Sequence, residues 1–323
     1  MDTAPGARTR RGRAAALLAA VVAACLAAGC TSGGPSDDGR GSSSRPSRDA
    51  ADGSSVLAVK VDNARTARPH TGLEAADVVY VEQVEGGLSR LMAVYASRLP
   101  ESVGPVRSAR ESDLELLRQF RRPVLAFSGA QGRLLPFIDR APLEAVTPES
   151  SPRGYVRGTD RPAPHNLYLR PGQLMDGPPG RSALTTGFRY GPAPEGGRAE
   201  IRHTVRYPAA RFTFTWSPDR DRWLVAMDGS PAVTTAGEQL SPATVVVQHV
   251  TVRPSDFRDF LGNTTPYTET VGSGKATVLR GGRAHDARWN RPDATEGTSF
   301  RTAGGAPVSF APGQVWVVYA TAP

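Results

Sequence analysis

The hydrophobic pattern divides the chain into unlike stretches. Residues 14–28 are an almost unbroken run of Ala, Leu and Val, interrupted at Cys25, behind an arginine-rich start with Arg8, Arg10, Arg11 and Arg13. Residues 31–55 carry almost nothing apolar. From Val56 onward, short apolar runs alternate with Gly, Pro and Asp. Two helical stretches lie among the earlier runs, and hardly any follow Ala199.

Residues 56–61 read as a short buried strand and residues 78–84 as a second. Gly86-Gly87 suits a two-residue hairpin turn, which returns residues 88–96 antiparallel. That register puts Arg90 diagonally on the face of Glu85, within ion-pair reach. Glu82 and Glu85, three apart, are expected on opposite faces. Ser108 and Glu111 have capping-box spacing, with Leu114, Leu116, Leu117 and Phe120 as the apolar face of the helix that follows. A strand over 124–127 and a short helix over 133–138 complete a mixed α/β pattern. The Pro/Gly/Arg-rich stretch 148–197 is expected to wrap this part. Strand candidates at 211–216, 222–227, 244–252, 275–279, 284–289 and 315–319 make the remainder mainly β. The expected fold class is therefore α+β, with a mixed α/β domain over 56–198 followed by a β-rich domain over 199–323. No period of 20–50 residues repeats, which excludes a solenoid or propeller.

The leader settles the compartment. Residues 14–28 are shorter than the roughly 20 residues that span a bilayer, so 1–29 reads as a signal peptide. Ala27-Ala28-Gly29 are small residues before Cys30, and Thr31-Ser32-Gly33-Gly34 is a solvated exit. Cys30 is the expected lipidation site. Cys25 also follows small residues, but more apolar chain succeeds it. A plain secretory signal cut nearby gives the same compartment, and Arg10-Arg11 leaves both the general and twin-arginine export routes open. Residues 30–55 then act as a flexible tether. The expected location is the cell membrane, lipid-anchored and facing outward.

Composition sharpens this. Residues 1–29 hold four arginines and one aspartate, so their removal lowers the net charge from +8 to +5. Lys60 and Lys275 are the only lysines. A basic protein outside the cell suits anionic envelope polymers or phosphate-bearing precursors, and nucleic acid is not an expected partner. With Cys30 lipidated, no disulfide forms within the chain.

Several runs together carry a family resemblance. They are Val61-Asp62-Asn63, Ala67-Arg68-Pro69 with Gly72-Leu73, and Ala76-Asp77-Val78-Val79-Tyr80. Glu85-Gly86-Gly87 and Gly104-Pro105-Val106-Arg107-Ser108-Ala109-Arg110 follow. Later come Val271-Gly272-Ser273-Gly274-Lys275-Ala276, Trp289 with Arg291-Pro292, and Pro312-Gly313-Gln314-Val315-Trp316. Over about 56–320 these runs resemble the YerB-like lipoproteins, a bacterial family with amino- and carboxy-terminal parts and no established activity, which implies a surface-anchored, two-part protein. The sequence departs from that family near Ser128, where a more glycine-rich turn is expected.

The best candidate chemistry is Arg107-Ser108-Ala109-Arg110 at a turn into a helix. Unpaired N–H groups at a helix start and bidentate guanidinium donors both favour an oxyanion. Arg68, in a loop, is a candidate third donor. The competing reading has Ser108 capping the helix and the arginines pairing with Glu82, Glu85 or Glu111. Asp62, Asn63, Glu85 and His165 are pocket candidates if the strand ends converge. Ser128 stands in a relaxed nucleophile-elbow pattern without supporting Asp and His motifs. The five histidines have no ligand spacing, so neither a metal nor another cofactor is expected. Gly272-Ser273-Gly274-Lys275 lacks the rest of a P-loop and reads as a hairpin turn. Trp216, Trp223, Trp289 and Trp316 read mainly as core, with a sugar- or partner-binding surface as the alternative.

The sequence thus suggests a non-enzymatic binding or scaffolding lipoprotein with an arginine-lined anion-binding cleft. Its partners would be the membrane, through the lipid, and an anionic envelope ligand or a protein. The alternatives are an envelope phosphotransferase acting on a pyrophosphate-bearing cell-wall precursor, loosely similar to LytR-type ligases, or a hydrolase.

Overall fold

A computed structural model describes residues 55–259 and 261–322. The expected signal peptide, the expected lipidation site Cys30 and nearly all of the expected tether lie outside the described residues. Strands in the first part are β1 (Leu57–Asp62), β2 (Val78–Gln83), β3 (Ser89–Tyr95), β4 (Val124–Ala126) and β5 (Glu144–Val146). Next come β6 (Tyr155–Arg157), β7 (Leu167–Leu169), β8 (Arg198–Ala199), β9 (Arg202–Tyr207) and β10 (Ala210–Ser217). β11 (Arg222–Met227), β12 (Ser230–Pro231), β13 (Thr244–Val250), β14 (Val252–Arg258) and β15 (Thr264–Thr268) follow. The last are β16 (Gly272–Arg280), β17 (Arg283–Arg291), β18 (Ser299–Arg301) and β19 (Val315–Thr321). The α-helices are α1 (Glu111–Leu117) and α2 (Leu135–Arg140).

The protein is therefore mostly β. The mixed α/β alternation expected for 56–198 reduces to these two short helices and a few single 3-10 turns, because 148–197 supplies loops and the hairpin β6–β7 rather than helix. The main sheet runs β18-β17-β16-β13-β19-β2-β3-β1-β4-β5, with β8 added against β17. Strands from before and after residue 198 thus share one sheet. The join is parallel: Val315 stands beside Val78 and Val318 beside Val81, while β13 flanks β19 on its other side.

Both faces of this sheet are covered, which is why its central strands read as continuous apolar runs. One face (Leu57, Val59, Val79, Val81, Val245, Trp316, Val318) packs on the second sheet, β12-β11-β10-β9, through Phe212, Phe214, Trp223 and Val225. The other face (Ala58, Val78, Tyr80, Val246, Val317, Tyr319) lies under Leu116 and Leu117 of α1 and Ile138 of α2. Trp223 and Trp316 are fully buried and Trp289 nearly so, which settles them as core. Residues 272–275 are strand, not a turn. Gly274 has to be glycine, since a Cβ there would lie 2.6 Å from the Trp289 indole nitrogen, which donates to the His249 carbonyl at 2.8 Å.

A single buried guanidinium ties α1 to the far end of the chain. Arg291, with no solvent exposure, donates from Nη2 to the carbonyls of Glu115 (2.9 Å), Leu116 (3.2 Å) and Ala294 (2.6 Å). Its Nε reaches the Glu296 carbonyl at 2.9 Å and Nη1 the Thr270 hydroxyl at 2.7 Å. From the helix side, the Glu115 carboxylate accepts the N–H and hydroxyl of Thr270 and the Tyr267 hydroxyl.

Candidate functional site

β1 and β4 start side by side and then part. The run from Pro105 to Ala109 fills the fork. Asp62 N–H donates to the Pro105 carbonyl (2.8 Å) and Arg107 N–H to that of Lys60 (2.8 Å). On the other side, Ser128 N–H reaches the Arg107 carbonyl and Ala109 N–H the Gly129 carbonyl, both at 3.0 Å. These bonds hold the run in the fork as far as Ala109, and the helix cap falls at Arg110 rather than Ser108. α1 begins two residues later, where Asp113 reaches back to the Arg110 N–H at 2.7 Å. That carboxylate caps the Arg110 N–H and brings a negative charge to the helix start. Gly104 opens the run against the β7 hairpin, and a Cβ there would lie 2.9 Å from the Leu167 carbonyl oxygen.

Beyond the parting ends of β1 and β4 lies a cleft of about 560 Å³. Arg90, Arg107, Ser108 and Arg110 line its floor, together with Glu85. Ala130 and Leu134 line one side, and Phe257 and Leu261 of the β14–β15 arm the other.

Four guanidinium groups (Arg90, Arg107, Arg110 and Arg258) and three carboxylates (Glu85, Glu111 and Asp259) line this cleft, so cations are in excess by one. Glu85 is clamped by Arg110, with Nε to Oε1 at 2.7 Å and Nη2 to Oε2 at 2.8 Å, and accepts the Thr265 hydroxyl at 2.6 Å. Burial pushes its carboxyl up, but Arg110 and Thr265 outweigh this and hold it at about 2. Arg107 rests its Nε 3.3 Å from Asp62. Asp259 turns inward on its own loop, accepting the N–H groups of Leu261 and Asn263.

Arg90 is different. It is 9% exposed, and the one hydrogen bond its side chain makes among the described residues is from Nη1 to the Ser108 carbonyl at 3.2 Å. No carboxylate pairs with it, and burial together with the Arg110 charge lowers its guanidinium to about 9. The ion pair with Glu85 expected from hairpin register does not form, because Arg110 takes both oxygens. Glu82 and Glu85 also reach the same helix start rather than opposite faces. β2 ends at Gln83 and Glu85 opens a 3-10 turn with Gly86 and Gly87 at positive φ, so strand alternation does not reach Glu85.

Behind the floor is a fully buried ion network. Lys60 pairs with Glu82 and, at 2.7 Å, with Asp113, and Glu82 accepts the Ser112 hydroxyl at 3.0 Å. Burial lowers the Lys60 ammonium to about 8, with Asp113 opposing. A lysine in the middle of Leu57-Ala58-Val59-Lys60-Val61, and an arginine opening the apolar strand β3, were the signals for this network and for Arg90. Charged residues are almost never buried unless paired.

The remaining candidates split off. Asp62 accepts His165 Nδ1 at 2.8 Å and the Ala64 N–H at 3.1 Å. Burial alone raises the Asp62 carboxyl, but these bonds and Arg107 hold it below its ordinary value. Asn63 and Asp228 hold Arg68, through Nε to Asn63 Oδ1 at 3.0 Å and Nη1 to Asp228 Oδ2 at 2.9 Å. Arg68 lines a separate groove of about 450 Å³ with Arg65, His70 and Met227, so it does not join the arginine cleft. Ser128 meets Ser108 at 3.4 Å between hydroxyl oxygens. Neither hydroxyl has another hydrogen-bond partner among the described residues.

Two family models match the chain: the amino-terminal domain of a protein of unknown function, DUF3048, over residues 43–183, and its carboxy-terminal domain over 203–317. The chain belongs to the DUF3048 family. A Bacillus subtilis relative named "Putative lipoprotein YerB" is 47% identical over 64 residues, 20% of this chain and 19% of that protein. The match thus spans about a fifth of the relative's length. The crystal structure of the YerB protein from Bacillus subtilis superposes with a TM-score of 0.68 at 19% identity, covering 82% of this chain and 90% of that one. At that identity the likeness establishes the fold, and the YerB-like resemblance read from the sequence is borne out. Among the described residues no helix is long and apolar enough to cross a membrane.

Proposed function

We propose that this DUF3048 protein is a lipid-anchored, outward-facing envelope protein that binds an anionic group in the arginine cleft. The observation that carries the reading is Arg90, a nearly buried cation on the cleft floor with no carboxylate partner. A buried charge is costly unless paired. A bound oxyanion would complete Arg90 and take the free Nη groups of Arg107 through charge-assisted bonds. Arg110 serves by clamping Glu85, which keeps that carboxylate from neutralising Arg90. Binding without turnover is favoured over phosphotransfer, since no acid or base stands in hydrogen-bond reach of the Ser108 hydroxyl among the described residues.

Phosphate or pyrophosphate should raise the melting temperature by mass action, since a ligand at 100 times its Kd adds about 2.7 kcal/mol. Arg107→Gln, at a part-exposed position, should remain folded and lose most of that shift. A folded variant with an undiminished response would overturn the reading. For the anchor, Cys30→Ala should abolish fatty-acid labelling, and undiminished labelling would refute Cys30 as its site.

A further inference from the structure

The cleft is not uniformly polar. Seven large apolar residues stand exposed among the described residues; two of them, Leu88 and Leu261, line this opening, and a third, Phe137, packs on its wall residue Phe257. Leu88 (44% exposed) and Leu261 (72%) are on its walls. Leu135 and Phe137 (52%) project from α2, directly after the wall residue Leu134, and Phe137 meets Phe257 edge-on with ring centroids 5.8 Å apart. A single exposed leucine needs no explanation, whereas a contiguous apolar surface marks a binding site. Here the apolar surface is continuous with a cationic floor whose deepest member, Arg90, is unpaired.

We propose that the cleft takes an anionic amphiphile: a phosphate carried on a hydrocarbon chain, of the kind borne by membrane lipids. The phosphate would sit on Arg90 and Arg107. The chain would leave between Leu88 and Leu261 along the apolar wall formed by Leu134 and Phe257. This deepens the anion reading and rests on it. A free inorganic anion would leave the apolar rim unused, and a neutral hydrocarbon would leave Arg90 uncompensated. Burying apolar surface is worth about 25 cal/mol per Å², so even 100 Å² of chain on this wall contributes roughly a hundredfold in affinity at full effect.

The test compares inorganic phosphate, decyl phosphate below its micelle concentration and decyl maltoside, each titrated against the full chain in a neutral detergent. Affinity is read from Arg90- and Arg107-dependent thermal shifts. Decyl phosphate should bind at least tenfold more tightly than inorganic phosphate, and decyl maltoside should give no shift. Leu88→Ser/Leu261→Ser, at exposed positions where folding is not at stake, should erase the decyl phosphate advantage while leaving inorganic phosphate unchanged. Equal affinity for the two phosphates would overturn the amphiphile and leave the anion site standing. An advantage that survives the double serine change would also overturn it, since the chain would then be bound elsewhere or by the detergent. No response to either phosphate would remove both readings.

Discussion

Arg291→Ala tests how strongly the carboxy-terminal strands hold the helix beside the cleft. The guanidinium makes five hydrogen bonds of 2.6–3.2 Å in full burial. Bonds from a charged donor contribute about 1.5–3 kcal/mol each, but simple addition overstates the loss. Leu116 retains the Gln119 amide at 2.8 Å on its carbonyl, and Glu115 retains the Arg118 N–H at 3.3 Å. The Ala294 carbonyl is left bare in a buried position, at about 1–3 kcal/mol, whereas exposed Glu296 can turn its carbonyl to water. The net expectation is a loss of about 4 kcal/mol, in line with breaking a buried ionic network. Against a total stability of about 5–15 kcal/mol, that is a large fraction. Urea unfolding followed by tryptophan fluorescence would show it as a lower midpoint with an unchanged slope. Arg291→Lys should fall between, since an ammonium has three donors and no planar fork. A loss below about 1 kcal/mol for the alanine variant would refute the claim that this residue clamps α1.

Two further outcomes follow from the same contacts. The Glu85 carboxyl titrates at about 2 in the folded state against an ordinary 4.5. The unfolded chain therefore binds the extra proton between those values, and the stability from the Arg110 pair is complete above about pH 4.5 and is lost as pH falls toward 2. Urea midpoints between pH 2 and 6 should show this slope, and Glu85→Gln should flatten it; an unaltered slope in the variant would exclude Glu85 as a source. A fragment of residues 55–198 should lack a cooperative unfolding transition, because β2 loses β19 and α1 loses Arg291. A sharp transition would instead show that the half expected from sequence folds alone.

Local apolar runs made much of this legible. β11 falls where expected at 222–227, and β2, β3 and β19 differ by a residue or two. β9 (Arg-His-Thr-Val-Arg-Tyr) was missed because it pairs on one side only and carries polar residues. The β14–β15 arm was hidden by its prolines and by a register shift between Pro254 and Arg258. The start of α1 was misplaced because Ser108–Glu111 satisfies a capping pattern locally, while long-range bonds to Lys60 and Ser128 hold the run in the fork and the cap falls at Arg110. For the cleft, residue type pointed to Arg107 and Arg110. Arg68 was drawn away by Asp228, a partner 160 positions distant, which no local pattern reveals.

The parallel contact between Val78 and Val315 also sets an order in time. The three strands β1-β3-β2 can assemble as soon as residue 95 has emerged, yet one edge of β2 then faces solvent until β19 arrives. At about 5–20 residues per second, synthesis of the intervening chain takes roughly 10–50 seconds. An open apolar strand edge is a template for pairing with other chains, so this interval is when the protein is most exposed to aggregation. Changes within 315–321 that delay pairing should therefore lower the yield of folded protein more than they lower its melting temperature. A cell that makes this protein has to guard the edge of β2 for that interval, by a chaperone or by holding the chain unfolded.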